Sequence, residues 1–313
     1  ADDGRGRPVT TAPLASALVG TGTMGTPMGL QVLAGGHSLS IYDANPEAVT
    51  TLVASGARLH SDAASAAHGA NVVVLSLPGP AEVVDAVTGQ RGVLAATSLP
   101  QIVADLSTTD VATVRRLYDR CADAGVAFLD APVSGGVVKA RTGSLTVLVG
   151  GEAAALEAAR PVLDCVGATI LHVGPSGAGA IAKIVNNQLF LAAGIAVQEA
   201  YVLGAALGMA PADLHTVVNA SSAKPYATLA PLLLGRRFDD VIFRLDIAAK
   251  DLALAVDSAA AAGVDVPLTA AAAALYADAA AGGDGAMAFH ATLRELERRA
   301  GIELDALARR STT

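Results

Sequence analysis

From residue 15 to about 172, short β-rich runs alternate with helical stretches, and this alternation limits what the chain can fold into more than any other property. ASALV precedes TPMGLQVLA, SLSIYD precedes PEAVTTLVAS, and NVVVLSLP precedes AEVVDAV. IVADLS then leads into DVATVRRLYDRCADAG, and VAFLD and SLTVLVG lead into AAALEAARPVLDCV and ATILHV. Runs rich in Val, Ile and Leu suit strands buried on both faces, so the pattern predicts a parallel sheet covered by helices on each side. Strand-like runs stop after Gly174-Pro175. Periodicity then predicts one long helix from 179 to about 207 and further helices over 211–219, 246–262, 268–280 and 286–300. The expected class is α/β: a doubly wound sheet over 14–176, joined by the long helix to an all-helical domain over 177–313. ADDGRGRPVTTAP, residues 1–13, is expected as a flexible leader.

At 313 residues and 52% hydrophobic content the chain can bury a large core, and its length suits two domains. A net charge of -8 without any Lys/Arg-rich block argues against nucleic acid or an anionic membrane as a partner. Small molecules and protein subunits remain. Apolar stretches at 189–197 and 270–275 are interrupted well short of the roughly 20 residues a span requires, so no transmembrane helix is expected. The leader lacks the apolar stretch of a secretory signal, which points to the cytoplasm. Cys121 and Cys165 form no CxxC motif and are expected as core thiols. His37, His60, His68, His172, His215 and His290 show no ligand spacing, and no metal is expected.

The first β-rich run leads into Gly20-Thr21-Gly22-Thr23-Met24-Gly25, a GxGxxG segment that opens a helix. Without a Cβ, such a turn brings backbone N–H groups and the positive helix end close to a pyrophosphate. A second strand ends on Asp43, and 43 − 25 = 18 residues fits the ribose-binding acid expected about 20 positions on. Its carboxylate can accept from both ribose hydroxyls and would repel a 2′-phosphate, and no arginine follows in Ala44-Asn45-Pro46. The cofactor expected is therefore NAD rather than NADP. Leu77-Pro78 and Ser107-Thr108 end two further strands and should approach it, although each reads equally well as an ordinary turn.

Asp130-Ala131-Pro132-Val133-Ser134-Gly135-Gly136 follows another strand. A Ser-Gly-Gly turn presents a hydroxyl and two unobstructed N–H groups, which suits a small carboxylate; a tight turn with Ser as a cap reads equally well in isolation. Lys183 stands alone in the apolar run GAGAIAKIVNNQ. Two readings compete there, a lysine whose stem packs while its ammonium reaches water, and a lysine held dry for chemistry. Asn187 lies four residues on, hence on the same helix face, where amide and ammonium could address one small polar substrate.

Taken in order, GTGTMGTPM, DAPVSGGVVKARTGSLTVLVGG, GAGAIAKIVNN and AAKDLALA resemble the signature segments of the β-hydroxyacid dehydrogenases, which include 3-hydroxyisobutyrate dehydrogenase. The resemblance runs from about 14 to 299. It implies a Rossmann-type N-terminal domain, an all-helical C-terminal domain that forms a homodimer or homotetramer, and a site in the cleft. It implies NAD-dependent hydride transfer with a small 3-hydroxy acid or its semialdehyde as substrate. By the same resemblance Gly20, Gly22, Thr23, Met24, Gly25 and Asp43 bind the dinucleotide, with Leu77 and Pro78 in the contact loop and Thr108 near the nicotinamide ribose. Ser134, Gly135 and Gly136 correspond to the substrate-carboxylate loop, Lys183 to the catalytic acid/base and Asn187 to its substrate-binding neighbour. Lys250 corresponds to the residue that reaches cofactor or substrate from the helical domain. The usual GLG is GTG here, and the loop from Asn219 through Lys224 to Tyr226 matches no one member's substrate loop. Lys139, Arg141 and Lys224 read as solvated. Two rival readings are an imine reductase of the same architecture and a non-catalytic dinucleotide-binding scaffold. The first usually carries Asp or Tyr in place of Lys183 and prefers NADPH; the second has lost the lysine.

Overall fold

In a computed structural model the described residues are 13–224 and 230–304, so 1–12 of the expected leader and Tyr226 lie outside them. The chain divides into two compact units, Ala1–Lys183 and Ile184–Thr313.

The first unit opens with β1 (Ala15–Val19), α1 (Gly25–Ala34), β2 (Ser38–Tyr42), α2 (Thr50–Ala54), β3 (Arg58–Leu59) and α3 (Ala63–Ala67). It continues with β4 (Val72–Leu75), α4 (Pro80–Thr88), β5 (Ile102–Asp105), α5 (Val111–Asp123) and β6 (Ala127–Asp130). β7 (Val133–Ser134), α6 (Gly136–Arg141), β8 (Leu145–Gly150), α7 (Ala153–Val166) and β9 (Gly167–Gly174) complete it, before α8 (Ala178–Ala206) begins. The strand order is β3-β2-β1-β4-β5-β6-β8-β7, with β9 beside β8. Pairing is parallel from β3 to β6, the order of a Rossmann sheet, whose switch point lies between β1 and β4. Beyond β6 the expectation of a wholly parallel sheet fails: β8 runs antiparallel to both β6 and β7. Ten residues, 135–144, link β7 to β8 with only the short α6 among them, which is less than the crossover a parallel return needs.

Side chains alternate between two cores, as a sheet covered on both faces requires. Leu18, Ile41, Val72, Val74 and Leu129 pack on one side with residues of α1 and α7. Ala17, Val19, Val73, Leu75 and Phe128 pack on the other with α3, α4 and α5. Each fully buried Leu, Val, Ile or Phe contributes about 1.5–3 kcal/mol, so this two-sided burial is the main force behind the sheet. The helix expected over PEAVTTLVAS contracts to α2. Asp43 Oδ1 accepts from Asn45 N at 2.8 Å and Asn45 Oδ1 from Glu47 N at 3.0 Å, and these turns hold the chain out of helix around Pro46.

The second unit contains the rest of α8, then α9 (Pro211–Ala220), α10 (Ala230–Leu234), α11 (Leu245–Ala261), α12 (Pro267–Ala279) and α13 (Thr292–Ala300). Its core gathers Leu191, Ile195 and Tyr201 from α8 with Leu245, Leu252, Leu275, Tyr276 and Phe289. The helix expected over 286–300 starts only at Thr292. Met287 O, Ala288 N and Phe289 N are taken by Leu245 N, Phe238 O and Phe243 O, each at 2.8 Å, and Ala288 forms a bridge with Arg244. By length and composition α8 could cross a membrane, with an 18-residue window of mean hydropathy 1.6. Half of that window is buried within the protein, as in a core helix.

Candidate active site

Three loops meet at the C-terminal ends of β1, β4 and β5, and glycine geometry explains the first. Gly20 has φ 93°, and a Cβ there would overlap the carbonyl oxygen of Ser76; a Cβ on Gly25 would overlap the carbonyl oxygen of Gly20. Both positions therefore exclude side chains so that α1 can start close against the sheet. Gly22 differs: nothing lies within 4 Å of where its Cβ would stand. That open space beside bare backbone is what a pyrophosphate requires, so the turn fits a dinucleotide. Thr23 is exposed and Met24 half-buried beside it.

Asp43 faces this turn from the end of β2. Its Oδ2 accepts from Thr21 N at 2.6 Å and Thr21 Oγ1 at 3.1 Å, while Oδ1 accepts from Asn45 N. Thr21 in place of the usual leucine thus holds the carboxylate that the sequence assigns to the ribose. A carboxylate offers about four lone-pair sites, which leaves Asp43 capacity for a ribose hydroxyl.

The loop after β4 is joined to the loop after β5 by Leu77 N donating to Ser107 Oγ at 2.9 Å. Asp105, 1% exposed, organises the second loop by accepting from Ser107 N and Thr109 Oγ1, each at 3.0 Å. Burial pushes its carboxyl above the usual aspartate value, while the Ser107 and Thr109 bonds pull it back. Thr108, half-buried, lies between those two anchors, and Pro78 is exposed at the neighbouring loop.

Ser134 closes β7, opposite Thr146 of β8, and is half-buried. Gly135 and Gly136 follow with φ 129° and 64°, a left-handed pair that only glycine adopts at little cost, and a Cβ on Gly135 would strike the stem of Lys139. Lys139 and Arg141 are exposed on α6, and Lys224 is exposed after α9.

Lys183, half-buried, is the last residue of the first unit. The expected boundary at 176/177 precedes it, because the entry turn of α8 is bonded to Asp130: Gly177 N and Ala180 N reach its carboxylate at 2.9 Å each.

In the second unit Asn187, 4% exposed, donates from Nδ2 to Asp251 Oδ2 at 2.5 Å and accepts at Oδ1 from Asn186 Nδ2 at 3.1 Å. Asp251 is 2% exposed; its Oδ1 makes no directed hydrogen bond but sits 2.8 Å from the ammonium of Lys250. Two expected site residues, Asn187 and Lys250, are therefore joined through a carboxylate that sequence reasoning did not single out. The roles of Thr21, Asp105 and Asp130 were missed in the same way. Only Thr21 carried a signal, as the departure inside the glycine motif.

Two sequence profiles cover nearly the whole described chain. The NAD binding domain of 6-phosphogluconate dehydrogenase matches residues 15–174, and a profile described as NAD-binding of NADP-dependent 3-hydroxyisobutyrate dehydrogenase matches 177–296. The 3-hydroxyisobutyrate dehydrogenase of Pseudomonas aeruginosa is 38% identical, over 80% of this chain and 87% of its own. The NAD-dependent L-serine dehydrogenase of the same organism is 36% identical, over 83% and 90%. A solved 3-hydroxyisobutyrate dehydrogenase of Mycobacterium tuberculosis with L-serine superposes with a TM-score of 0.82 at 33% identity, covering 91% of this chain and 99% of that one. With the glycine turn and Asp43, these matches establish that the chain belongs to the β-hydroxyacid dehydrogenase family, as an oxidoreductase that uses NAD.

Proposed function

We propose that the protein oxidises the C3 hydroxyl of a small 3-hydroxy acid, or reduces the corresponding semialdehyde, with Lys183 as general acid/base. Two relatives, named for L-serine and for 3-hydroxyisobutyrate, support the substrate class. Both compounds are 3-hydroxypropanoates with a primary hydroxyl on C3, and they differ only in the C2 substituent, an amino group in one and a methyl group in the other. NAD, when bound, supplies the acceptor for the hydride that leaves the carbinol carbon. Lys183 Nζ takes the hydroxyl proton in oxidation and returns it to the forming alkoxide in reduction. Ser134 Oγ and the amides of Gly135 and Gly136 hold the carboxylate, and Asn187 orients the reacting oxygen through the N–H that Asp251 leaves over. Lys250 contributes positive charge toward the anionic ligands, and Leu77, Pro78 and Thr108 shape the cofactor loops.

The observation that carries this reading is Lys183 itself, half-buried one turn before an asparagine already oriented by a buried carboxylate. It also disfavours the imine reductase and the scaffold, both of which dispense with that lysine. NADH formation should be measured with L-serine, 3-hydroxyisobutyrate and related hydroxy acids, in the parent protein and in Lys183→Ala. The substitution should leave NADH affinity intact and lower kcat by roughly 10²–10⁴-fold, the weight of a positioned acid–base group. Near-normal turnover would refute the assignment.

Association of two or more copies through the helical unit belongs to the same proposal, as does a cytoplasmic location. Val185, Leu189 and Leu203 along α8, and Leu207 just past its end, leave 47%, 66%, 60% and 79% of their surface exposed. A second copy covering that stripe would remove it from water. Light scattering should report an oligomer that Leu189→Asp with Leu203→Asp weakens, and a parent monomer would overturn this part.

A further inference from the structure

Asp130 ends β6 with 1% of its surface exposed, a costly place for a carboxylate. Its neighbour across the sheet is another buried acid, Asp105, and burial pushes both carboxyls above the usual aspartate value. What compensates is the entry of α8. Gly177 N donates to Oδ1 and Ala180 N to Oδ2, both at 2.9 Å, and the amide of Gly179 also favours the charged form. The first amides of a helix lack partners within it, and a carboxylate satisfies two of them at once while meeting the positive end of the helix.

The surroundings leave α8 no other seat. Asp130 pairs with Gly150 of β8, where a Cβ would stand 2.6 and 2.7 Å from the two carboxylate oxygens and 2.8 Å from Gly179 N. A Cβ on Gly179 would overlap the main-chain oxygens of Asp130 and Leu148. Two bare glycines and one acid thus form a socket that fixes the rotation and height of the first turn. Lys183 lies three residues beyond Ala180, on the same helical face.

We infer that Asp130 is the positioning residue for Lys183: by clamping the entry turn of α8 to the end of β6, it sets where the ammonium stands against the substrate hydroxyl. This rests on the reading of Lys183 as the acid/base. A misplacement of about 1 Å at such a group costs up to roughly 100-fold in rate, so a neutral or flexible cap would not suffice.

Asp130→Asn keeps the shape but turns one acceptor into a donor facing an amide N–H. With NAD and the better of L-serine and 3-hydroxyisobutyrate, kcat should fall roughly 10- to 100-fold. The KM for the hydroxy acid should change by less than about threefold, and NADH affinity by fluorescence should hold, because the glycine turn and Asp43 are untouched. Gly150→Ala, which crowds the same carboxylate without altering charge, should reproduce the loss. In a Lys183→Ala background, Asp130→Asn should cost no further turnover, since the two residues act as one unit. Amide exchange across 177–183 should speed up in Asp130→Asn and not in Lys183→Ala. Equal losses in both backgrounds, a kcat within twofold of the parent, or a parallel loss of NADH affinity would each overturn the inference. Normal turnover by Lys183→Ala would instead refute the acid/base reading, while the exchange data would still report on the clamp.

Discussion

Asp130 and Asp251 are both buried carboxylates, both hold part of α8, and they do so by opposite means. Asp130 binds only main chain, the amides of Gly177 and Ala180, and so fixes where the helix begins. Asp251 binds only side chains, the Asn187 amide and the Lys250 ammonium, and so fixes how two functional groups point. Main-chain donors are rigid, whereas side-chain donors can turn to suit a new acceptor. The first unit sets a backbone position and the second sets two orientations, and substitutions should separate the two kinds of control.

The largest effect expected on this comparison is at Asp251. Asp251→Ala strips the buried Asn187 amide of its acceptor and removes the carboxylate 2.8 Å from the ammonium of Lys250, itself 26% exposed. Thermal or urea unfolding should show a loss of about 2–3 kcal/mol, below the full cost of breaking a buried ion pair because Lys250 retains some water. Asp251→Asn should recover more than half of it, since its carbonyl can still accept from Asn187. Asp130→Asn should show no such tolerance. If asparagine proves equally well or equally badly accepted at both positions, the distinction between main-chain and side-chain grips fails.

The two units should also answer acid in opposite directions. Asp105 and Asp130 have folded pKa values above their unfolded value near 3.8, mainly through burial. Their contribution to stability is therefore complete below that value and is lost as pH rises through the folded one. In the second unit, His290 lies between the rings of Phe238 and Phe289, with centroids 5.5 and 5.3 Å away. Burial lowers its pKa from 6.5; the charge of Arg237 lowers it further, while the Arg237 backbone and Asp240 oppose the shift. A depressed value means stability that is present above pH 6.5 and lost as pH falls through the folded pKa. Between pH 7 and 5.5, amides of the second unit around Phe289–Ala291 should exchange roughly two- to tenfold faster after correction for intrinsic rates. Those of β5 and β6 should not. His290→Phe should abolish the difference, and a uniform response of both units would contradict it.

Much of this architecture was legible because buried strands and glycine turns leave local signatures. NVVVLSLP could only be a strand covered on both faces, and Gly20 and Gly25 stand where any side chain would strike backbone. Two-residue strands such as β3 and β7 carry too little pattern to be read, and α2 lost its expected first turns to side-chain bonds of Asp43 and Asn45. At the candidate site the sequence named Lys183, Asn187 and Lys250, yet not what holds them. The reason is distance along the chain: Asp130 meets partners 47 and 50 residues away, and Asp251 meets Asn187 across 64. Periodicity and spacing report on neighbours, whereas a buried carboxylate takes its partners from wherever the fold brings an N–H.

Asp43 combines both grips and so offers the finest test. Two main-chain amides, those of Thr21 and Asn45, hold it together with one hydroxyl, that of Thr21. Thr21→Val removes only the hydroxyl at nearly constant shape. If rigid main-chain donors dominate, as proposed for Asp130, the carboxylate stays in place and NADH affinity weakens by no more than about threefold, under 1 kcal/mol. Discrimination against NADPH should persist, because the charge that repels a 2′-phosphate is unchanged. Fluorescence titration with each nucleotide measures both quantities. A tenfold loss for NADH would show that the Thr21 hydroxyl is what orients Asp43, and that a single side-chain donor outweighs two backbone ones.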